Sequence, residues 1–335
     1  IDGLKKLEYR GYDSSGIALV TKDHQLIVRK KKGRIANLEE LIAGEDLYAN
    51  LGIGHTRWAT HGAPSDVNAH PHTDMSGRIA VVHNGIVENY LALKEWLIKE
   101  HNVVFKSETD TEIIAQLIGV LYDGDIEEAV RKAVEKMQGA YGIGVICRDE
   151  PDKMIAVRKD SPLIVGLGQG CNFIASDIPA LLKYVRQIYL IENNEMVVLT
   201  ANDVKIYNAD HEEVHRDVFN VTWDADAAEK EGYDHFMLKE IHEQPKGIRD
   251  TLVRRMDENG EIVLDGIKLT KEDIEGFNKV YIVACGTAYH AGLIGKFAIE
   301  KLAKISVEVD VASEFRYRDP FIDDKTLFIA ISQSG

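Results

Sequence analysis

The chain of 335 residues has a formal net charge of -15 at pH 7 and is 45% hydrophobic, a composition typical of a globular protein with about two domains. The negative charge argues against nucleic acid as a partner, because phosphate-backbone binding requires clustered lysine and arginine. The basic run Arg29–Lys32 is interpreted as a solvated strand end. Small anionic substrates remain compatible with this charge, since a local group of donors is enough to bind them.

The cysteine content and the hydropathy pattern indicate a cytoplasmic protein. Cys147, Cys171 and Cys285 form an odd, sparse set without paired spacing, which argues against a disulfide framework and favours a reducing compartment. No apolar run approaches the ~20 residues that a membrane span requires, and the sequence shows no signal peptide. We therefore expect no membrane partner.

Both ends of the chain lie within predicted elements. Ile1, Leu4 and Leu7 have the spacing of an amphipathic helix that is already under way at the first residue. The last residues follow an apolar strand directly and end at Gly335, although a strand needs neighbours on its sheet. We expect an internal fragment of a longer protein.

The first part of the chain predicts strands before any long helix. A hairpin is expected from Gly16–Val20 and Leu26–Val28, and a short strand at Leu51–Gly54. A buried strand at Ile79–His83 is expected to end in the turn signal Asn84–Gly85.

Three helices and a second group of strands follow. The helices cover Val87–Glu100, a segment that Thr109 opens as a capping box with Glu112, and Ile126–Met137. The later strands are predicted at Tyr141–Ile146, Met154–Val157, Leu163–Val165, Asn172–Ala175, Glu195–Leu199 and Val204–Tyr207. Strands and helices in separate runs favour an α+β layered domain over a doubly wound one.

A different pattern begins after a boundary. Residues Val221–Gly232 are acidic and polar, and His235–Met256 predicts helix interrupted at Pro245, as a kink or as two helices. A strand, a turn, a helix and two further strands are then expected at Val280–Ala284, Cys285–Thr287, about Ala288–Ala303, Val307–Val311 and Leu327–Ile331. This order is typical of the opening of a parallel α/β sheet.

The segment His55–Gly62 has the composition of a ligand-binding loop. It holds a guanidinium, an indole, two hydroxyls and two imidazoles but no cysteine or serine, so it would recognise a substrate while the nucleophile lies elsewhere. Arg57 can bind a carboxylate through two hydrogen bonds, and Asp110 at a helix start can bind an ammonium group. Together they would hold an α-amino acid. The alternatives are a structural ion pair for Arg57 and a helix-dipole role for Asp110.

Further polar groups accompany this segment. Asn84 and Gly85 offer a side-chain amide and a backbone N–H, the groups of an oxyanion hole, although an Asn-Gly pair is also an ordinary turn. Trp58 is either a lid over a pocket or a packing residue. Five histidines occur nearby, at His55, His61, His70, His72 and His83. They lack the spacing of a zinc site, so we expect no metal and interpret them as pocket or core residues.

Two strands of the C-terminal part end in small turns, Cys285–Thr287 and Ser332–Gly335. Ligands of open α/β sheets bind at such strand ends, where helix N-termini expose N–H groups. The turns therefore suit a phosphate that is bound by hydrogen bonds rather than by lysine, and neither is a Walker loop or a G-x-G-x-x-G fingerprint. Cys285 follows an apolar strand and is interpreted as a buried small residue rather than a nucleophile.

Several of these segments occur in a characteristic order, at Tyr9–Gly16, His55–Gly62, Asn68–His72, His83–Gly85 and Ser107–Glu112. They resemble the glutaminase domain of the glutamine–fructose-6-phosphate aminotransferase (glucosamine-6-phosphate synthase) family. Three later segments resemble the start of that family's sugar isomerase domain, at Cys285–Thr287, Ala312–Tyr317 and Ser332–Gly335. The resemblance covers essentially the whole chain and is specific, because two unrelated domain types appear in the right order.

The resemblance implies a fold and a domain arrangement. Residues 1–222 would form a four-layer αββα sandwich of the N-terminal-nucleophile amidotransferase type, and residues 223–268 a helical linker. Residues 269–335 would begin the first sugar isomerase domain, an α/β fold with a parallel sheet. The nucleophile would be an N-terminal cysteine upstream of Ile1 that uses its own α-amino group as a base. No cofactor is implied, and the family is usually homodimeric.

The resemblance also implies roles for individual residues. Asn84 and Gly85 would form the oxyanion hole, and Trp58 would gate an ammonia passage between two sites. Glutamine would be bound by Arg57, Trp58, Thr60, His61, His70 and Asp110. The phosphate of fructose 6-phosphate would be bound by Thr287, Ser332, Gln333 and Ser334. The acid/base residues of isomerisation would lie beyond Gly335.

The chain departs from the family at Ala288, where a serine commonly follows Cys-Gly-Thr. The loss of one hydroxyl is expected to weaken sugar-phosphate binding by about 1 kcal/mol. The whole protein would transfer ammonia from glutamine to fructose 6-phosphate and isomerise the adduct to glucosamine 6-phosphate, while the fragment itself would be inactive. The alternatives are an amidotransferase with another acceptor, such as phosphoribosyl pyrophosphate, and a non-catalytic sugar-phosphate-binding module.

Overall fold

The computed structural model describes residues 1–59, 61–222, 232–253, 255–257, 260, 262–264, 266–267 and 269–332. The chain divides into two units, Ile1–Phe236 and Met237–Gly335. Among the helices within these described ranges, none is both long and apolar enough to cross a membrane.

The first unit contains both helices and strands. Its helices are α1 (Asp2–Leu7), α2 (Ile35–Ile42), α3 (Tyr90–His101), α4 (Asp110–Leu121) and α5 (Ile126–Val134). Its strands are β1 (Ser14–Val20), β2 (Leu26–Lys32), β3 (Leu51–Arg57), β4 (His72–Thr73), β5 (Ile79–Val87), β6 (Gly139–Cys147), β7 (Lys153–Lys159), β8 (Ile164–Leu167), β9 (Asn172–Ala175), β10 (Gln187–Leu190), β11 (Glu195–Thr200), β12 (Val204–Tyr207), β13 (Glu213–Val214) and β14 (Phe219–Asn220).

A seven-stranded antiparallel sheet in the order β13-β12-β11-β7-β6-β5-β4 forms the centre of this unit. One face packs against α3, α4 and α5. Helix α4 is apolar around most of its circumference, and its residues Asp110 to Ile118 are all buried, because it lies between the sheet and its neighbouring helices. The opening of α4 therefore sits at a fixed position above the sheet.

The opposite face of the central sheet is covered by two smaller sheets, β2-β1-β3 and β14-β10-β8-β9. Apolar residues of β1, β3 and β8 meet those of β5, β6 and β7 in a second core. Helix α2 packs on β2, and α1 packs on β3 and on the short 3-10 turn Ile178–Ala180. Helix, sheet, sheet and helix layers follow one another, which confirms the predicted αββα sandwich.

The second unit is built on a parallel sheet. Its helices are α6 (Phe236–Val253), which begins at the unit boundary, α7 (Lys271–Gly276), α8 (Gly286–Leu302) and α9 (Ala312–Tyr317). Its strands are β15 (Lys279–Ala284), β16 (Ser306–Val311) and β17 (Thr326–Ile331). Strand β15 lies between the other two and pairs in parallel with both, which confirms the predicted parallel sheet.

Four local predictions are corrected by the structure. Strand β3 continues through Arg57, so the segment from His55 is not all loop. Asn84 and Gly85 do not end a strand, because β5 runs through both to Val87. Helix α6 continues through Pro245 as one helix, which excludes the alternative of two helices.

Cys285 is the fourth correction, since it is exposed rather than buried. It comes directly after the last residue of β15 and occupies the N-cap position of α8, where its side chain makes no capping hydrogen bond. At that position its side chain has already left the apolar interior of the sheet.

Candidate active site

A cavity of about 750 Å³ lies in the first unit and is lined in part by edge strands of the two smaller sheets. Strand β3 lines one side of the cavity and β9 lines another. Predicted site residues come together here, since the lining includes Arg57, Trp58, His61, His70, Asn84, Gly85 and Asp110. Thr60, which was also predicted, lies outside the described residues.

Arg57 ends β3 with its side chain buried. Its Nη2 donates to the backbone carbonyls of His61 and Gly62, the latter at 3.1 Å, so one edge of the guanidinium fixes the loop that follows the strand. Nη1 is buried and has no hydrogen-bond partner among the described residues. Asp13 Oδ1 is 3.9 Å from Nη1, too far for a hydrogen bond. Burial lowers the pKa of Arg57, while the carboxylates of Asp13 and Asp110 oppose that shift.

Asp110 is the first residue of α4 and only 3% exposed. Its Oδ2 accepts the backbone N–H of Val87 at 3.0 Å and lies 4.0 Å from Nδ1 of His83. Within the part of the chain that the structure describes, no hydrogen bond to Oδ1 is found, so this oxygen is available to a ligand. A buried carboxylate at a helix N-terminus is held in place by the fold and does not have to be ordered when a ligand arrives.

The N-terminus of α4 is only partly the predicted capping box. Thr109 accepts the backbone N–H of Glu112 at 3.3 Å. The carboxylate of Glu112 instead accepts the N–H groups of Lys106 and Ser107. Both arrangements anchor the loop that leads into Asp110.

Asn84 and Gly85 lie side by side in β5 at the cavity wall. Nε2 of His55 is 2.8 Å from Oδ1 of Asn84, which leaves the amide Nδ2 of Asn84 as a donor. Gly85 has φ +117°, and a Cβ at this position would lie 2.1 Å from the carbonyl oxygen of Ala140. Only glycine allows β5 to approach β6 so closely at this point.

The histidines form a packed group around the cavity. The rings of His55 and His70 stack with centroids 4.3 Å apart, and His70 meets the edge of His72 at 5.2 Å. Burial lowers the pKa of His55 to about 4. It also lowers the pKa values of His70 and His72 well below the usual range of a histidine. These rings are therefore neutral near pH 7. Among the described residues, no group of histidine, cysteine or acidic side chains has the arrangement of a metal site.

Trp58 and His61 lie at the cavity rim. Trp58 is 59% exposed and meets the ring of Tyr12 edge-on at 5.2 Å. His61 makes an edge-on contact with Tyr90 at 5.2 Å. Trp58 is thus a surface residue at the entrance, which agrees with a lid better than with core packing.

Sequence reasoning missed Lys30, which lies in the basic run interpreted as solvated. Its Nζ donates to the carbonyls of Val67, Ala69 and Pro71, at 2.9, 2.8 and 3.3 Å. Burial lowers its pKa to about 8. Lys30 therefore holds the segment that presents His70. No local signal in the basic run distinguishes Lys30, because its place opposite Gly16 follows from the pairing of β1 with β2.

In the second unit, the predicted phosphate-binding residues stand at neighbouring strand ends. Ala284 of β15 pairs with Ile331 of β17, so Thr287 in the first turn of α8 and Ser332 both follow paired positions. Both residues are exposed. Gln333 and Ser334 lie outside the described residues.

Two family descriptions match this chain. Residues 55–183 match "Glutamine amidotransferase domain", and residues 274–335 match "SIS domain". The first match contains most of the cavity residues. The second contains β15, β16 and β17.

Curated relatives match the chain along its whole length. The chain is 59% identical over 335 residues to the isomerizing glutamine–fructose-6-phosphate aminotransferase of Clostridium tetani and 58% identical to that of Clostridium perfringens. The corresponding protein of Aquifex aeolicus is 53% identical. In each case the alignment covers 100% of this chain and 55% of the relative, so the chain spans about half the length of these proteins. The resemblance predicted from the sequence is confirmed.

Two solved structures share the fold. A glutamine phosphoribosylpyrophosphate amidotransferase from B. subtilis has a TM-score of 0.57 at 18% identity, covering 92% of this chain and 61% of that one. A structure described as the allosteric regulatory enzyme of purine biosynthesis also has a TM-score of 0.57, at 19% identity over 99% of this chain and 64% of that one. At these identities the likeness concerns the fold alone.

Proposed function

We propose that the whole protein hydrolyses L-glutamine and passes the ammonia to fructose 6-phosphate, which it isomerises to glucosamine 6-phosphate. The observation that carries this proposal is the pairing of Arg57 and Asp110 in one cavity with the Asn84 amide. These groups match the carboxylate, the ammonium and the side-chain carbonyl of glutamine. The relatives that match the whole chain have names that state this activity.

Arg57 and Asp110 bind the amino-acid end of the substrate. Nη1 of Arg57 has no hydrogen-bond partner among the described residues and donates to the α-carboxylate. Oδ1 of Asp110 accepts the α-ammonium. Both charges are already buried and fixed before the ligand arrives, so binding does not have to order long side chains. His61, His70, Trp58 and Thr60 complete the glutamine site around this pair.

The nucleophile is a cysteine on a strand that fills the space between β3 and β9. Both strands are sheet edges, and both line the cavity, so a strand placed there would pair with the two smaller sheets. The α-amino group of the same cysteine takes the thiol proton, and the sulfur attacks the amide carbon of glutamine. The oxyanion accepts hydrogen bonds from Asn84 Nδ2 and Gly85 N–H. The α-ammonium group then returns the proton to the departing nitrogen, so that ammonia leaves, and water releases glutamate from the thioester. Trp58 covers the exit of the ammonia.

The sugar phosphate binds at the ends of β15 and β17. The chain passes from β15 to β16 on one side and then to β17 on the other, so the connections diverge between β15 and β17, where ligands of such sheets bind. The first turn of α8 supplies free N–H groups and the Thr287 hydroxyl, and Ser332, Gln333 and Ser334 complete the site.

The domain limits belong to the same proposal. Residues 1–222 form the glutaminase domain, residues 223–268 the linker, and residues 269–335 the beginning of the first isomerase domain. The protein acts in the cytoplasm as a homodimer. The three cysteines support a reducing compartment, since none of them forms a disulfide and a catalytic thiolate must stay reduced.

The test uses the full-length protein with glutamine and fructose 6-phosphate. We expect glutamate and glucosamine 6-phosphate in equal amounts. Formation of glutamate without an amino sugar would retain the glutaminase and reject this acceptor, and phosphoribosyl pyrophosphate would then replace fructose 6-phosphate in the assay. If the folded protein binds sugar phosphate but hydrolyses no glutamine, it is a non-catalytic binding module and the proposal is wrong.

A further inference from the structure

We propose that His55 is a positioning residue, which fixes the Asn84 side chain so that its N–H group, and not its oxygen, faces the reacting carbonyl. This inference rests on the proposed glutaminase function. It adds a residue that contacts no part of the substrate and acts through Asn84.

The hydrogen bond itself determines which atoms face which way. Nε2 of His55 and Oδ1 of Asn84 are 2.8 Å apart, and an amide oxygen can only accept, so Nε2 carries the proton. Because Oδ1 is held by the imidazole, Nδ2 points away from it. No described residue accepts a hydrogen bond from Nδ2 at the cavity wall. Nδ2 is therefore free to donate to an oxyanion.

Without this bond, the amide of Asn84 has two orientations of similar energy. Rotation by half a turn exchanges Oδ1 and Nδ2, which differ little in size. The reversed amide presents a partial negative charge to the developing oxyanion and raises the barrier instead of lowering it. Orientation of this one group thus determines whether Asn84 assists the reaction.

The surroundings of His55 hold its ring in place. His55 lies opposite Gly16 in the β1–β3 pairing, and a Cβ on Gly16 would come within 2.3 Å of the carbonyl oxygen of His70. This close approach lets the ring of His70 stack on that of His55 at 4.3 Å. Nδ1 of His55 is buried without a hydrogen-bond partner among the described residues, as an unprotonated nitrogen in an enclosed stack would be. Burial lowers the pKa of His55 to about 4, which keeps the ring neutral.

The experiment measures glutamine hydrolysis by the full-length protein and four variants: His55→Leu, His55→Gln, Asn84→Ala, and the double variant His55→Leu/Asn84→Ala. We expect kcat to fall about 10-fold to 100-fold in His55→Leu, with KM for glutamine within about twofold, because loss of one oxyanion donor lowers kcat by about 100-fold to 1000-fold. His55→Gln should recover most of the rate, since its Nε2 reaches the position of the ring nitrogen.

The double variant separates positioning from general support of the fold. If His55 acts through Asn84, the His55→Leu change lowers kcat in the wild-type background but leaves the Asn84→Ala enzyme unchanged within about twofold. Equal fold-losses in both backgrounds, or a rise in KM with unchanged kcat, would overturn the proposal. A wild-type protein that hydrolyses no glutamine would instead refute the proposed function, so the two failures are distinct.

Discussion

The cavity of the first unit and the strand-end turns of the second unit present their candidate ligand groups in opposite ways. Arg57 and Asp110 are each 3% exposed and make further contacts with the backbone. Thr287 and Ser332 are exposed at the ends of a parallel sheet. The first site is built from buried side chains and the second from exposed ends of elements.

The two proposed ligands make different demands on a binding site. An α-amino acid carries two opposite charges, so its site must bury two complementary charges and hold each with hydrogen bonds to avoid a large desolvation penalty. A phosphate is bound by N–H groups that a parallel sheet and its helices expose in any case. Substitutions should therefore have large effects in the first site and small ones in the second.

The largest effect is expected for Gly85→Ala. The new Cβ would lie 2.1 Å from a backbone oxygen of β6 at φ +117°, so β5 and β6 must separate. We expect the free energy of unfolding to fall by more than about 4 kcal/mol, measured by urea denaturation.

Gly77→Ala is the matched control. Gly77 also has a positive φ, +68°, but a Cβ there meets nothing within 4 Å. The strain of φ alone should lower the free energy of unfolding by about 1 kcal/mol. Equal losses at both positions would show that the close approach at Gly85 contributes nothing.

Asp110→Asn should act on glutamine alone. The amide retains an acceptor for the Val87 N–H, which donates to Asp110 at 3.0 Å, but removes the charge that faces the ammonium. We expect KM for glutamine to rise by the equivalent of about 3 kcal/mol, with fructose 6-phosphate binding unchanged. Steady-state kinetics and a separate titration with the sugar phosphate distinguish this from a structural defect, which would weaken both.

The reciprocal change is Thr287→Val in the second unit. It removes one exposed hydroxyl from the first turn of α8, so binding of fructose 6-phosphate should weaken by about 1 kcal/mol. Ala288→Ser should strengthen it by a similar amount. Calorimetric titration with fructose 6-phosphate checks both, and a change in KM for glutamine of the same size would remove the contrast between the two sites.

The smallest effect concerns acid stability. Because the pKa of His55 is lowered from 6.5 to about 4 in the folded chain, the unfolded chain binds a proton first as the pH falls through this range. The stability that the neutral His55 contributes is therefore present above pH 6.5 and is lost towards pH 4. His55→Gln should lose less stability than the wild type between about pH 7 and about pH 6, by under about 1 kcal/mol. The exposed His215→Gln should keep the wild-type profile, and an equal change in both would exclude His55 as the cause.

Local patterns predicted an α+β layered domain and the opening of α4, while the order of the four layers came from the family resemblance. The patterns also identified Arg57, Asp110, Asn84 and Gly85 as candidates. They misplaced two boundaries, because the ends of β3 and β5 are determined by pairing with distant strands. Arg57 pairs with Ser14, and Gly85 pairs with Tyr141. Asn-Gly is a common turn signal, but the partner strand β6 keeps Gly85 within the sheet.

Buried polar contacts were also beyond local reasoning. Lys30 is one of four basic residues in a row and has no local feature that distinguishes it. Its three carbonyl partners lie in the 67–71 segment, far along the chain. The bond between His55 and Asn84 likewise joins two different sheets.

The central claim is that the cavity of the first unit supplies the nitrogen for a sugar that binds at the second. The most direct measurement incubates the full-length protein with glutamine labelled with ¹⁵N at the amide and with unlabelled fructose 6-phosphate. Mass spectrometry should find one ¹⁵N in each molecule of glucosamine 6-phosphate, and Asp110→Asn should lower the yield at low glutamine concentration. An amino sugar without the label, or no amino sugar from the folded protein, would contradict the account.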